Sequence, residues 1–295
     1  MDAIPLPLGG LTCFFVRHGE RVDHIDDSWA QTAPEPYDPP LTRDGHEQAL
    51  RTGALIYSLE QQALQQQGPG PPPQTTYRVI TSPFLRCAQT AEGLFRGFQQ
   101  EEQASQGTGV VATGPWTVAV EPGLSEVMNE NYFAHPPPET IITRRRSDLA
   151  SGAVHCSMRH DDAYVPARDC LPEYPEGFQS MLARFVSTLD YTTSALVEQP
   201  ARQEAGAGVA DCSGVRPSPR SVVILVTHGA GVSALLWATT LKPGFNDVPY
   251  CCLTRARIVS RRKSQPLQPF GTSRIPAYTW DVDYRAYASH INPRL

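Results

Sequence analysis

The chain has 295 residues, of which 40% are hydrophobic and 19% charged, enough to bury a substantial core in one large domain or two small ones. Its formal net charge of -5 argues against direct nucleic-acid binding, because phosphate backbones are held mainly by basic surfaces. Its apolar runs are all shorter than the ~20 residues of a membrane helix, and none has the flanks of a signal peptide. We therefore expect an intracellular protein, cytoplasmic or nuclear, that makes no membrane contact.

The first predicted strand covers residues 11–16 and ends at "VRHGER", which contains Arg17, His18 and Arg21. Short apolar runs of this kind, each followed by a turn and a helix-like stretch, are typical of parallel α/β domains. Thr42 is then predicted to cap a long helix, "RDGHEQALRTGALIYSLEQQAL", whose apolar residues broadly suit one buried face.

The second predicted strand covers residues 77–81, with Ser82 as N-cap and Pro83 as the first residue of the next helix. A shorter strand at 116–120 leads into "EPGLSE". A buried run at 222–226 precedes His228 and a helix that opens with glycines. Together these elements predict an α/β fold with a mostly parallel central sheet.

Four stretches separate these elements and are predicted to be insertions within a single domain that spans residues 1–295. Those near 65–76, 99–114 and 198–220 are rich in Gln, Gly, Pro and small residues, which is typical of loops or locally disordered segments. Residues 134–175 are proline-punctuated and weakly periodic, as in a lid, a binding loop or a flexible excursion. The three arginines at 144–146 are predicted to lie there in a solvated loop.

The ends of the chain and its cysteines carry further expectations. Residues 277–295 alternate aromatic side chains, which suits an added edge strand or a segment that docks on a partner. The seven cysteines are an odd number without a C-x-x-C pair, so we expect reduced thiols. They are Cys13, Cys87, Cys156, Cys170, Cys212, Cys251 and Cys252.

Charged side chains follow the predicted strands at the edge of the sheet where α/β proteins bind ligands. They are Arg17, His18, Arg21, Arg86, Glu126 and His228. Three arginines and two histidines near helix N-termini would bind a dianion such as a phosphoryl group. One neutral histidine could attack phosphorus, and a carboxyl group could protonate the leaving group. Glu126 is the best candidate for that acid, with Glu20 and Glu121 as competitors.

The motifs carry a family resemblance. "VRHGER", "DPPLTRDGHEQA", "TSPFLRCAQTAEGL" and "VTHGAGVSAL" resemble, in order, four signature elements of the histidine phosphatase superfamily, in its phosphoglycerate mutase-like branch. The extended forms "RHGERVD" and "EPGLSE" are similar to one subgroup of it. That subgroup contains suppressor of T-cell receptor signalling proteins, ecdysteroid-phosphate phosphatase and a subunit of an RNA polymerase III transcription factor. Val127 stands where the signalling proteins often carry an aromatic residue.

The resemblance implies a three-layer α/β/α fold, phosphoglycerate mutase-like, and a role for each site residue. His18 would be the nucleophile that becomes phosphohistidine, and Glu126 the acid and base. Arg17, Arg21 and Arg86 would bind phosphate, and His228 would bind and stabilise the transferring group. The expected activity is a metal-independent phosphomonoesterase without a cofactor, acting on a phosphorylated small molecule or a phosphopeptide.

Two alternatives stay open at this point, and a third is not expected. An interaction or regulatory subunit built on the fold, for example in a transcription complex, would use the insertions to bind protein partners. A phosphomutase is less expected, because Arg21, Val22 and Asp23 replace the S-x-W-N pattern of mutases. A metal site or an acid-phosphatase His-Asp pair in "HCSMRHDDAY" (His155, His160, Asp161, Asp162) is not expected, since no convincing strand precedes that segment.

Overall fold

The computed structural model describes residues 4–5, 10–66, 73–105, 113–154, 158–204, 219–243, 248–262 and 276–291. Its strands are β1 (Ile4–Pro5), β2 (Leu11–Arg17), β3 (Thr75–Thr81), β4 (Thr113–Val120), β5 (Arg159–His160), β6 (Arg220–Thr227), β7 (Leu253–Arg261) and β8 (Tyr278–Tyr287). Its α-helices are α1 (Trp29–Thr32), α2 (Arg43–Gln65), α3 (Leu85–Ala104), α4 (Thr140–Ser151), α5 (Phe178–Glu204) and α6 (Gly229–Thr240).

The eight described strands form one mixed sheet in the order β1-β7-β2-β6-β3-β4-β5, with β8 paired to β7. Strands β2, β6, β3, β4 and β5 run parallel, whereas β7 is antiparallel to β2, β1 and β8. The carboxyl ends of β2, β6, β3 and β4 therefore open on the same edge of the sheet. This is where ligand sites form in open parallel sheets.

Helices cover both faces of the sheet. Along β2, Phe14 packs into the cluster that contains Ile56 of α2 and Leu94 of α3. Phe15, on the opposite face, packs into the cluster that contains Phe185 of α5 and Leu235 of α6. Alternate residues of a strand point to opposite faces, so a continuous apolar run belongs to a strand buried on both sides. The three-layer α/β/α fold with a mostly parallel sheet is confirmed.

The predicted strands at 11–16, 77–81, 116–120 and 222–226 all form, as parts of β2, β3, β4 and β6. Thr42 caps α2 as predicted, since its hydroxyl accepts a hydrogen bond from the Gly45 N–H. The predicted start of α3 is wrong. That helix begins at Leu85 after Phe84, and no side chain of the N-cap residue caps it. Ser82 is therefore not a helix cap.

The prediction of a solvated loop at 144–146 is also wrong, because these arginines lie in α4. Arg145 is 2% exposed, and it ion-pairs with the buried Asp38 at 2.8 Å. The sequence does not indicate this because Asp38, the buried partner of Arg145, is distant in sequence. Arg145 therefore occupies a position where an amphipathic helix would carry an apolar residue.

The insertions near 65–76, 99–114 and 198–220 are shorter than predicted at their edges, because α2 extends to Gln65, α3 to Ala104 and α5 to Glu204. Parts of these insertions lie outside the described residues, namely 67–72, 106–112 and 205–218, the last of which contains Cys212. The same holds for His155, Cys156 and residues 292–295. The edge strand predicted near the end of the chain forms as β8.

Five cysteines lie in the described ranges, and all are free thiols as predicted: Cys13, Cys87, Cys170, Cys251 and Cys252. Within the same ranges, no helix is both long and apolar enough to cross a membrane.

Candidate active site

His18 lies directly after β2, at the edge of the sheet where the parallel strands end, and it is 1% exposed. Its Nδ1 is 2.8 Å from the Gly19 carbonyl oxygen. Because a carbonyl only accepts, Nδ1 carries the proton, and Nε2 keeps its lone pair. Burial, together with the charges of Arg86 and Arg17, holds the pKa of His18 well below its usual 6.5. His18 is therefore a neutral imidazole with a free nitrogen near neutral pH.

The backbone after His18 is held by motif residues whose role the sequence did not explain. The Gly19 N–H donates to the Thr90 hydroxyl at 3.0 Å, and the Glu20 N–H donates to the Gln48 side chain at 2.9 Å. A Cβ on Gly19 would lie 2.4 Å from the Gly45 carbonyl oxygen. The loop and the start of α2 therefore approach so closely that only glycine fits there.

Arg17 is oriented by the segment before β7. Its guanidinium lies 4.2 Å from the centre of the Tyr250 ring, a distance at which a cation–π contact is favourable. One terminal nitrogen donates to the Val248 carbonyl oxygen. Its Nε is buried and has no hydrogen-bond partner among the described residues. Tyr250 was not found from the sequence, since no strand end or motif marks it.

Arg86 comes from the first turn of α3 and is 1% exposed. Its Nη2 is 3.3 Å from His228 Nδ1, and its guanidinium lies 4.5 Å from the centre of the Phe84 ring. Its Nε and Nη1 are buried without a partner in the described part of the chain. A buried guanidinium with two unused donors is costly unless a ligand completes it.

His228 follows β6 and is fully buried. Its ring centre is 5.2 Å from that of His18, and its Nε2 lies 2.9 Å from the Ser82 hydroxyl oxygen. Burial, followed by the charge of Arg86, holds the pKa of His228 well below its usual value. Ser82, predicted to be a helix cap, therefore orients the second histidine.

Glu126 approaches from the loop after β4 and is 5% exposed. Its Oε2 lies 3.4 Å from His228 Nδ1, and its Oε1 accepts from the Val127 N–H at 3.0 Å. Its competitor Glu121 is fully buried and accepts hydrogen bonds from the Gly123 and Ala167 N–H groups and the Tyr164 hydroxyl. Glu121 therefore stabilises this loop, and we assign it no chemical role.

Arg21 lies at the mouth of the site, where its Nε donates to Asp23 at 2.7 Å. Its side chain is 17% exposed. The fork pairs with Asp23 on one side, so the guanidinium is held in place with a donor left for a ligand. Arg21 is less buried than Arg86, as befits a residue at the rim.

An open cavity of about 460 Å³ adjoins these groups. Its lining residues are Arg17, Arg21, His24, Glu126, Asn131, Tyr132, Gly229, Ala230, Ser233 and Val248. Arg17 and Arg21 are the two arginines of this lining, and the rest of it, Glu126 apart, is neutral. His24 hydrogen-bonds to the Tyr250 hydroxyl across its mouth, and Tyr132 is half exposed. Neither His24 nor Tyr132 was predicted.

One set of described residues is spaced as a metal site would be: His18, Glu126 and His228, whose possible ligand atoms lie within 4.8 Å of one another. The same space adjoins Arg86, whose Nη2 is 3.3 Å from His228. A fixed positive charge so close to the ligand atoms opposes a cation and favours an anion. The arrangement therefore suits a phosphate better than a metal ion.

The six predicted site residues come together at one end of the sheet. Among the described residues of "HCSMRHDDAY", which exclude His155, there is no metal cluster. His160 pairs with Asp162 at 2.7 Å, and Asp161 with Arg78 at 3.4 Å.

No protein-family model matches the chain, and no curated protein sequence does. Among solved structures, it is similar to the ecdysone phosphate phosphatase, EPPase, from Bombix mori in complex with tungstate. The TM-score is 0.52, with 19% identity, over 90% of this chain and 97% of that one. YhfR from Bacillus stearothermophilus gives a TM-score of 0.45 with 17% identity, over 96% of this chain and 100% of that one. Phosphoglycerate mutase from Bacillus anthracis str. Sterne gives 0.44 with 13% identity, over 96% and 95%. The first likeness is one of fold, and it confirms the fold expected from the histidine phosphatase resemblance.

Proposed function

We propose that the chain, which has the histidine phosphatase fold, is a metal-independent phosphomonoesterase that works through a phosphohistidine on His18. One observation carries the proposal. Three buried guanidinium nitrogens, Nε of Arg17 and Nε and Nη1 of Arg86, have no partner among the described residues. Native proteins rarely leave such donors unpaired, so these point to an anion with several oxygens.

A bound phosphoryl group would take its charge compensation from Arg17, Arg86 and Arg21. Guanidinium forks match phosphate oxygens, and they neutralise charge that would otherwise repel a nucleophile. The N-terminus of α6, directly after His228, adds partial positive charge. The site is thus built to hold a dianion beside the free Nε2 of His18.

In the first half-reaction, the lone pair of His18 Nε2 attacks phosphorus, the P–N bond forms and the P–O ester bond breaks. The electrons of that bond leave with the ester oxygen, which takes a proton from the Glu126 carboxyl group. His18 enters this step neutral because its pKa is depressed by burial and by Arg86.

In the second half-reaction, water attacks the phosphohistidine, and the P–N bond breaks. Glu126, now a carboxylate, takes the proton of that water, so free His18 and inorganic phosphate are regenerated. His228, held by Ser82 at 2.9 Å, would donate a hydrogen bond to the transferring group.

The cavity supports hydrolysis over mutase activity. A phosphorylated sugar acid carries a second anionic group, and binding it calls for a further cation. Beyond Arg17 and Arg21, the described lining residues include no lysine or arginine. The body of the substrate should therefore be neutral. EPPase, by its title, is an ecdysone phosphate phosphatase, so a steroid phosphate belongs in a substrate panel beside phosphotyrosyl peptides, nucleotides and sugar phosphates.

The alternative of an interaction or regulatory subunit rests on the insertions, whose central residues lie outside the described ranges. The unpaired donors favour catalysis, because a scaffold gains nothing from keeping buried N–H groups free. An active domain that works inside a complex is compatible with both ideas.

The test is hydrolysis of p-nitrophenyl phosphate with and without EDTA. We expect the wild-type protein to release nitrophenol in both conditions, and His18→Asn to abolish release. His46→Asn, at an exposed histidine on α2 that we place outside the site, is the control. Labelled phosphate should be trapped on His18 in an acid-labile form, and tungstate, present in the EPPase structure, should compete with substrate. Loss of turnover in EDTA, or equal activity in His18→Asn, would overturn the proposal.

A further inference from the structure

The loop that carries Glu126 is held by side chains outside the site. Its Leu124 carbonyl accepts from the Thr227 hydroxyl at 2.7 Å. The carbonyls of Gly123 and Ser125 both accept from Nη1 of Arg184, at 2.8 and 3.0 Å. Arg184 of α5 thus holds the part of the loop that immediately precedes Glu126, the proposed acid.

Arg184 is itself fixed by a two-pronged ion pair with Glu176. Its Nε and Nη2 each lie 2.7 Å from a Glu176 carboxylate oxygen. Glu176 in turn accepts from the Met128 N–H at 3.4 Å, and its own N–H donates to the Met128 carbonyl. The pair therefore holds the loop on both sides of Glu126.

The pair is buried deeply, with side-chain exposures of 1% for Arg184 and 2% for Glu176. A buried ion pair is often no more stabilising than apolar residues of the same volume, because both charges lose their hydration. The pair instead fixes the loop through directed hydrogen bonds. Arg184 donates to two loop carbonyls, and the Glu176 carboxylate accepts from a loop N–H.

We propose that Arg184 and Glu176 are positioning residues that hold the Glu126 carboxyl group where it can protonate the leaving group. The inference rests on the proposed phosphatase function. Glu126 Oε2 lies 3.4 Å from His228, and a general acid must lie within hydrogen-bond reach of the atom it protonates. A loop released from Arg184 would let that carboxyl group move away while the arginine pocket stayed intact.

The proposal predicts a defect that depends on the leaving group. p-Nitrophenolate leaves readily without a proton, whereas the alkoxide of benzyl phosphate needs one. The two esters each carry a single ring, so they should fit the site similarly. The informative quantity is kcat/KM, since it covers the steps through the first P–O cleavage and excludes hydrolysis of the phosphohistidine.

Glu126→Gln sets the benchmark. We expect it to lower kcat/KM for benzyl phosphate about 100-fold, the size of a lost general acid, with a much smaller loss on p-nitrophenyl phosphate. Glu176→Gln and Arg184→Lys should lower kcat/KM for benzyl phosphate about tenfold. Their loss on p-nitrophenyl phosphate should again be smaller. The double variant Glu176→Leu/Arg184→Met leaves no unpaired buried charge, so it keeps the test valid if a single variant unfolds.

The matched control is a second buried, two-pronged pair, Arg220 with Glu60, which lies away from the Glu126 loop. Glu60→Gln and Arg220→Lys should destabilise the fold without changing the ratio of the two kcat/KM values. If folded Glu176 and Arg184 variants lower kcat/KM for both esters by the same factor, the positioning role is wrong and the pair is merely structural. If the wild-type protein hydrolyses neither ester, the proposed function itself fails.

Discussion

Oε2 of Glu126 lies 3.4 Å from Nδ1 of His228, and Nη2 of Arg86 lies 3.3 Å from the same nitrogen. A depressed pKa keeps His228 neutral near pH 7, so this nitrogen either accepts from the guanidinium or donates to the carboxylate, but not both. The hydrogen bonding of Glu126 therefore depends on the tautomer of His228. The acid, the second histidine and the phosphate-binding arginine form one coupled unit.

Replacing Arg86 tests the geometry of that unit. Lysine keeps the positive charge of Arg86 but not its planar fork, so two of the ligand's hydrogen bonds are lost. Charge-assisted hydrogen bonds contribute about 1.5–3 kcal/mol each, so we expect Arg86→Lys to lower kcat/KM for p-nitrophenyl phosphate about 100-fold or more. Arg51→Lys, at an exposed i,i+4 pair with Glu47, should leave the rate unchanged. A rate within threefold of wild type in Arg86→Lys would show that charge alone binds phosphate.

Replacing Ser82 tests whether this residue acts as a helix cap or as a site residue. A lost cap lowers the free energy of unfolding by about 1 kcal/mol and leaves catalysis intact. The structure gives the hydroxyl to His228 instead, at 2.9 Å, so Ser82→Ala should lower kcat about tenfold, the value of one hydrogen bond. Steady-state kinetics and urea unfolding on the same sample distinguish the two outcomes. A loss of stability with unchanged kcat would show that Ser82 acts as a helix cap after all.

The outline of the site could be predicted from the sequence because parallel strands end at one edge of the sheet. An apolar run that predicts a strand precedes each of four site residues: Arg17, His18, Glu126 and His228. Ser82 shows the limit: a serine before a proline suits a helix start, and only the tertiary contact with His228 gives it another role.

The supporting residues could not be predicted for a related reason. Asp38, Arg145, Glu176 and Arg184 act through contacts between elements far apart in sequence, and none follows a strand or belongs to a motif that predicts a partner. A buried charge in a helix looks like a surface charge until its partner is known. Tyr250 likewise precedes β7 in a turn, where the sequence gives no periodic signal.

Gly123 is predicted to resist substitution because of two neighbours. A Cβ at this position would lie 2.2 Å from Thr188 Oγ1, 3.1 Å from its Cγ2 and 2.8 Å from Glu121 Oε1. Gly123→Ala should therefore destabilise the fold by about 1–3 kcal/mol through overpacking. Thr188→Ala removes both Thr188 atoms but not the Glu121 contact, so the double variant should recover part of that loss in thermal unfolding. Strict additivity of the two single changes would contradict the proposed clash.

Asp38 joins three elements: its Oδ1 accepts from the Leu85 N–H at 2.7 Å, and its Oδ2 pairs with Arg145 at 2.8 Å. Burial raises the pKa of Asp38 against the opposing charges of Arg145 and Arg86. Asp38→Leu would leave the buried Arg145 with only the partly exposed Asp148 as an ion-pair partner, at a cost of up to about 3–5 kcal/mol. Asp38→Leu/Arg145→Met removes that charge and should recover more than half of the loss. A double variant less stable than Asp38→Leu would show that the pair is not the source of the cost.

The two buried histidines predict how stability depends on pH. Burial and Arg86 lower the pKa values of His18 and His228 in the folded state, so below about pH 6.5 the unfolded chain binds protons that the folded chain does not. Stability is therefore retained above that pH and lost as the pH falls towards the folded pKa values. His18→Asn should flatten the dependence by up to about 1.4 kcal/mol per pH unit, measured by urea unfolding at pH 7, 6 and 5. His135→Asn, at an exposed histidine, is the control, and equal slopes in the two variants would contradict the prediction.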